Sequence, residues 1–78
     1  MSTQVGRTKK TAYVLDVTFP GGTFTKKPIV LLSPFWEDSN VQVSYIDTIT
    51  RVDVASFTVV SENRAPNYFV HWLASDDY

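Results

Sequence analysis

The sequence predicts an all-β protein. β-Branched and aromatic residues dominate its apolar segments, and no window shows sustained apolar spacing of the helical kind. Within several segments apolar and polar residues alternate, and glycine, proline and asparagine separate one segment from the next. This pattern predicts roughly five or six short strands arranged as a small sandwich or barrel.

The chain length predicts one domain that spans residues 1–78. A domain of this size buries only about 60% of the surface of its unfolded chain, so its own core gives marginal stability. The sequence has no cysteine and one histidine, so it offers neither disulfides nor the ligands of a protein-only zinc site. We therefore expect association between subunits to add stability.

The charge balance bears on the class of partner. The formal net charge is −1, which argues against a large nucleic-acid interface. No apolar run approaches the ~20 residues of a membrane span, so we expect no membrane insertion. The basic residues Arg7, Lys9 and Lys10 have no apolar stretch after them, which predicts a solvated arm rather than a signal peptide.

The first predicted strand, 12–19, alternates so that Tyr13, Leu15, Val17 and Phe19 share one face. A turn at 20–22 follows it, because glycine accepts positive φ angles. The second predicted strand is the apolar run 28–33, which suits burial on both faces, and Pro34 is expected to end it.

The remaining segments alternate between connections and strands. In order they are a loop at 34–40, a strand at 41–50, a corner at 51–54, a strand at 55–62, a hairpin loop at 63–67 and a last strand at 68–75.

The last predicted strand has large apolar side chains on both of its faces. One face can pack in the core of the domain, and the other then needs a second cover, for which a neighbouring subunit would serve. The first face carries Tyr68, Val70, Trp72 and Ala74, and the second carries Phe69, His71, Leu73 and Ser75.

His71 raises the question of catalysis, because it is the one histidine of the chain. A nucleophile relay would need Asp47 or Asp53 to orient it, and no spacing in the sequence supports such a relay. The signatures of hydrolases, zinc proteases and nucleotide-binding loops are absent. We expect a packed or interface histidine, no enzyme activity and no cofactor. Glu37 and Asp38 are expected to form a solvated turn rather than a calcium site.

Two stretches have the chemistry of carbohydrate recognition. Trp36 lies beside two carboxylates, an arrangement suited to stacking a pyranose ring and accepting hydroxyl hydrogen bonds. The alternative is that Trp36 covers the core. The loop 62–67 offers Glu62, Asn63 and Arg64, and its alternative interpretation is an ordinary loop tip.

The order of several motifs resembles the H-type lectin family of snail agglutinins and discoidin C-terminal domains. The motifs are VTF at 17–19 with Phe24, KPIVLLS at 27–33, FTV at 57–59 and VHWLAS at 70–75. The resemblance covers about residues 7–75. It implies a six-stranded antiparallel β-sandwich, a homotrimer and calcium-independent binding of galactose or N-acetylgalactosamine-type glycans at clefts between protomers.

The resemblance also implies a set of carbohydrate-binding residues. The glycine–basic–acid step of the family falls near Arg7 and Thr8, with threonine in place of the acid. The position of its arginine falls near Val41 or Gln42, so that arginine is absent. Asn63 and Arg64 stand where its late hairpin has an aromatic residue or histidine. Tyr68 or Trp36 would stack on the sugar.

We therefore expect a trimeric carbohydrate-binding lectin that acts extracellularly or on a virion surface, with a glycan and further copies of itself as partners. The alternative is a trimerisation or receptor-binding knob of a phage tail fibre or a similar appendage, in which the fold serves assembly.

Overall fold

The computed structural model describes residues 2–78, which form six antiparallel strands in two three-stranded sheets and contain no helix. The prediction of an all-β fold is confirmed. No helix within residues 2–78 could cross a bilayer. The strands are β1 (Thr3–Lys9), β2 (Val14–Thr18), β3 (Ile29–Trp36), β4 (Thr48–Val52), β5 (Ser56–Val60) and β6 (Tyr68–Ser75). Sheet A has the order β1-β6-β3, and sheet B has the order β2-β5-β4.

The two sheets share one apolar core. Phe57 of sheet B and Trp72 of sheet A meet edge to face with ring centroids 5.5 Å apart, and Phe19 packs against both rings. Such pairs add about 0.5–1.5 kcal/mol beyond the burial of their area. The buried core residues are Val17, Phe19, Phe24, Val30, Phe57, Val59, Trp72 and Ala74.

Strand β6 has the predicted bounds and the predicted faces. It lies at the centre of sheet A, paired with β1 on one side and β3 on the other. Its first face is buried in the interior and carries Tyr68, Val70, Trp72 and Ala74. Its second face is half-buried or exposed and carries Phe69, His71, Leu73 and Ser75. Only one of its two apolar faces is therefore covered by residues 2–78.

The expectation of a solvated N-terminal arm is wrong. Residues 3–9 form β1, which pairs with β6 over its whole length. Gly6 makes this pairing possible, because a Cβ atom there would lie 2.5 Å from Cε2 of Trp72. The strand was missed because its alternation of small, polar and basic residues has little apolar signal. Lys10, expected in solvent, is fully buried.

Strand β3 differs from the prediction in its end and in its burial. It continues through Pro34 to Trp36, and Ile29 and Leu31 are 52% and 62% exposed rather than buried. The continuation through Pro34 follows from the place of β3 at the edge of sheet A, since an edge strand tolerates proline. One face of β3 packs in the core, and nothing within residues 2–78 covers the other.

The predicted strand 41–50 is mostly irregular, and the corner 51–54 is shorter than expected. Regular structure begins only at Thr48, and β4 runs to Val52 with a shift in register between Ile49 and Arg51. The Tyr45 carbonyl accepts a hydrogen bond from Asn63 Nδ2 at 2.9 Å instead of a strand partner, and Ile46 is 85% exposed. The alternation of apolar and polar residues in 41–47 therefore belongs to an irregular segment held by hydrogen bonds to polar side chains, and not to a β-strand.

The loop 63–67 is present but is not a hairpin. It joins β5 of sheet B to β6 of sheet A, so the chain changes sheet there. Its backbone is held to the end of β1, because Ala65 N–H donates to the Lys10 carbonyl at 3.2 Å and Lys10 N–H donates to the Tyr68 carbonyl at 2.9 Å.

Asp76 joins three distant segments at the opposite end of sheet A. Its carboxylate accepts hydrogen bonds from the Ser2 amide at 2.5 Å and from the Thr25 amide and hydroxyl at 3.2 and 3.0 Å. The bond from Ser2 above all, with those from Thr25, lowers the pKa of Asp76 below its usual value.

Replacing Asp76 should therefore produce a pH-dependent loss of stability. A carboxyl group whose pKa is lower in the folded chain than in the unfolded chain stabilises the fold at pH values above its unfolded pKa of about 3.9. That stabilisation is lost as the pH falls through the folded pKa. We expect Asp76→Asn to lower the melting temperature at neutral pH, with a difference from wild type that shrinks below about pH 4. The control is Asp77→Asn, at an exposed neighbour. Equal shifts at both pH values, or equal shifts for both variants, would contradict this account.

Candidate functional site

The outward side chains of sheet A form one continuous surface, the outer face of sheet A. The registers place Arg7 beside His71 and Ser33, and Val5 beside Leu73 and Leu31. The face consists of Thr3, Val5, Arg7 and Lys9 on β1, Phe69, His71, Leu73 and Ser75 on β6, and Ile29, Leu31, Ser33 and Phe35 on β3.

This outer face divides into two halves along the strands. The apolar half has Val5, Ile29, Leu31 and Leu73, which are 69%, 52%, 62% and 39% exposed. The other half is aromatic and cationic. Since grouped apolar side chains at this exposure are unusual on a monomeric protein, the apolar half has the character of an interaction surface.

The Arg7 cluster, made of Arg7, Phe35, Phe69 and His71, occupies the second half. The Arg7 guanidinium lies 5.3 and 5.4 Å from the ring centroids of Phe35 and Phe69. Its Nε donates to His71 Nε2 at 3.1 Å, and the His71 ring packs against Phe35 with centroids 5.1 Å apart. The cluster therefore holds one arginine in a defined orientation by stacking and by one hydrogen bond.

His71 takes part in this packed arrangement. In the arrangement seen here its Nε2 is an acceptor, occupied by Arg7. Neither proposed orienting carboxylate bonds to it within residues 2–78, since Asp47 bonds to Ser61 and Tyr68 and Asp53 accepts the Val54 amide. His71 is a packing and positioning residue in this structure.

A buried polar cluster of Lys10, Asp47, Ser61, Asn63 and Tyr68 lies at the end of sheet A where β6 begins. Lys10 Nζ donates to the carbonyls of Ala12, Ser61 and Asn63 at 2.9, 2.7 and 2.5 Å. Asp47 accepts from the Ser61 hydroxyl at 2.5 Å, from Asn63 Nδ2 at 3.3 Å and from the Tyr68 hydroxyl. The cluster fixes 61–63 and the segment around Asp47 against β6.

The buried polar cluster shifts the pKa values of two of its members, Tyr68 and Lys10. Burial, followed by the hydrogen bond to Asp47 and its charge, raises the pKa of the Tyr68 phenol far above its usual range. Burial lowers the pKa of Lys10, and Arg64 adds to this effect while the charges of Asp47 and Glu62 oppose it. A fully satisfied polar interior of this kind favours a single arrangement of the loop.

Burial changes the roles predicted for Asn63 and Tyr68. They are 3% and 0% exposed, and their polar atoms bond within the protein, so in this structure they hold the loop and do not face solvent. Thr8 is also engaged internally, since its hydroxyl accepts from Trp72 Nε1 at 3.2 Å. We therefore remove Asn63 and Tyr68 from the carbohydrate-contacting set.

The other predicted residues lie on separate parts of the surface. Trp36 is half-buried, packs edge to face on Tyr68 and donates from Nε1 to Asn67 Oδ1 at 3.0 Å. Gln42 lies exposed on the irregular segment 41–47. Arg64 is half-exposed and pairs with Glu62 at 3.8 Å. Arg7 is thus the predicted residue that lies within an ordered, outward-facing cluster.

Sequence reasoning missed a groove beside sheet B. It has a volume of about 390 Å³, and two exposed tyrosines and several hydroxyls line it. Its main residues are Tyr13, Tyr45, Thr48, Thr50 and Glu62. They come from segments far apart in the chain, so no local motif could have revealed the groove.

The outer face of sheet B contrasts with that of sheet A. Thr58 donates to Asp16 Oδ1 at 2.6 Å and accepts from Arg51 Nε at 3.2 Å, while Arg51 also reaches Ser56 at 2.9 Å. Polar groups across this sheet therefore satisfy one another. Of the two outer faces, that of sheet A is the one on which several exposed apolar side chains are grouped within residues 2–78.

No family model, curated protein or solved structure matches the chain. The chemistry of the site therefore rests on its own residues.

The buried polar cluster makes a direct prediction about stability. Tyr68→Phe removes one donor to Asp47, and we expect the free energy of unfolding to fall by about 1–3 kcal/mol, because a hydrogen bond to a buried charge is lost. Tyr13→Phe is the matched control at an exposed tyrosine and should change stability by less than about 0.5 kcal/mol. Urea unfolding measures both, and equal effects would show that Tyr68 is not part of a stabilising network.

Proposed function

We propose that the protein is a homotrimeric carbohydrate-binding domain of the H-type lectin kind, in which the two sheets form the layers of a β-sandwich. The observation that carries the proposal is the outer face of sheet A, where an exposed apolar half continues into the Arg7 cluster. In this proposal the apolar half packs between protomers, and the Arg7 cluster lines the cleft at its margin.

The energetics of the apolar half support assembly. Burying apolar surface contributes about 25 cal/mol per Å². The four side chains of the apolar half are exposed to solvent in the single chain, so covering them with a neighbouring subunit would be favourable. A closed trimer would cover this face in every copy and leave no open site for further growth.

The site supports binding rather than chemistry. A stacked guanidinium and exposed ring edges suit the hydroxyls and C–H faces of a sugar. Arg7 therefore remains in the proposed glycan site, and Trp36, Gln42 and Arg64 remain candidates on the protomer surface that could reach a cleft from a neighbouring copy.

A second candidate function is the trimerisation or receptor-binding knob. The burial of Asn63 and Tyr68 and the internal bond of Thr8 favour it, because three residues predicted to contact sugar are engaged in the fold. In that case the same apolar half assembles the trimer, and the ligand is another protein.

The assembly can be tested by light scattering. We expect a mass about three times the 8.8 kDa of one chain, because a cyclic trimer buries the apolar half. Leu73→Glu places a charge in that half and should give folded monomers. Ile46→Glu is the control at an exposed position outside the face and should keep the trimer. A monomeric wild-type protein at micromolar concentration would contradict the proposal.

Glycan binding can be tested on an array with the assembled protein. Single shallow sites bind weakly, and three sites on one particle raise the apparent affinity by about 10²–10⁴. We expect retention on glycan spots by the wild type and loss of retention by the monomeric Leu73→Glu variant. Silence on every glycan from a trimeric protein would reject the lectin proposal in favour of the knob.

A further inference from the structure

We infer that the Arg7 cluster recognises an anionic sugar, one that carries a carboxylate or a sulfate group. The inference rests on the proposed function and extends it by naming the class of ligand and the residue that selects it.

The first support is the way in which Arg7 is held. Its Nε is engaged by His71 at 3.1 Å, and its plane is held near Phe35 and Phe69. Within residues 2–78 the two terminal nitrogens have no protein acceptor, although Arg7 itself is exposed. These nitrogens form the fork that binds a carboxylate or sulfate through two parallel hydrogen bonds.

The second support is the charge of the surrounding surface. The outer face of sheet A contains the cations Arg7 and Lys9 and no carboxylate, although the whole chain has a net charge of −1. Lys9 Nζ lies 5.7 Å from the Phe69 ring centroid, next to the cluster. An anion bound there is attracted by these two cations, and no carboxylate on the same face repels it.

The third support comes from the other arginines. Arg51 donates to Thr58 and Ser56, and Arg64 pairs with Glu62. Of the three arginines in the sequence, Arg7 is the one without an oxygen acceptor in the described part of the chain. It is also fixed by its neighbours, so binding an anion costs less side-chain ordering than it would for a free arginine.

The fourth support favours a sugar over a simple ion. Phe35 and Phe69 lie on the same face as Arg7 and are half-buried, so parts of their rings remain open to solvent beside the guanidinium. Aromatic rings of this kind pack against the C–H face of a pyranose, while the acid group lies on Arg7. A ligand that joins an anion to an apolar ring face matches both parts.

The test is titration calorimetry of the assembled protein with matched sugars. Glucuronic acid is compared with glucose, and galactose 6-sulfate with galactose, so that the two pairs separate a carboxylate from a sulfate source. We expect at least one charged sugar to bind about tenfold or more tighter than its neutral partner, with an affinity that falls as salt is raised.

Two substitutions identify the residue. Arg7→Lys keeps the charge but loses the fork and the stacking, so the preference for the charged sugar should fall about tenfold. Arg51→Lys, on the outer face of sheet B, is the matched control and should leave this preference unchanged. The trimer mass of each variant is measured in parallel, so that a loss of assembly is not taken for a loss of recognition.

Specific outcomes overturn the inference. If neutral sugars bind as tightly as charged ones, the lectin proposal stands and the anionic class is wrong. If Arg51→Lys costs as much as Arg7→Lys, the site has been misplaced. If free sulfate or acetate binds as tightly as the charged sugars, or an anionic peptide binds and no sugar does, the ligand is not a glycan and both proposals fall.

Discussion

The central position of β6 is the constraint on which the rest of the structure depends. This strand pairs with β1 and β3 at once, and its alternation sends Trp72 into the core and His71 to the outer face. The same alternation decides the chemistry of both sides, because a shift of one residue would exchange the two sets of side chains. Gly6 and the registers of β1 and β3 hold that pairing in place.

The two ends and the two sheets then take different roles. Asp76 ties Ser2 and Thr25 together at one end of sheet A, while the buried polar cluster around Lys10 and Asp47 ties the connection between the sheets at the other. On the outer face of sheet B, the polar side chains donate and accept hydrogen bonds among themselves. The outer face of sheet A is left with an apolar half and a positively charged half, and the proposals for assembly and for ligand binding both arise from this asymmetry.

What the sequence predicted depended on the strength of each local signal. The alternation in 68–75 is dominated by large apolar groups, so its bounds and its faces were both predictable. The segment 3–9 has few such groups, and its strand forms because β6 offers a free edge, which no local pattern reports. Conversely, 41–47 has the pattern of a strand, but Asp47 and the Tyr45 carbonyl are bonded into the polar cluster instead.

The candidate site was only partly predictable for the same reason. Arg7 could be named from the sequence, but its contacts with Phe35, Phe69 and His71 depend on the register of three strands. Asn63 and Tyr68 have the donors and acceptors of a sugar site, and only the fold reveals that Asp47 and Lys10 engage them inside. Polar character alone does not distinguish a ligand contact from a buried bond.

The central claim is that the outer face of sheet A, and not that of sheet B, is the surface through which copies of the chain meet. Cross-saturation between isotope-labelled and unlabelled protomers in one assembly tests it most directly, because only amides at the interface lose signal. The account predicts signal loss along β6 and its neighbours, centred on Leu31 and Leu73. Loss centred on Asp16 and Thr58 of sheet B, or no loss at all, would contradict it.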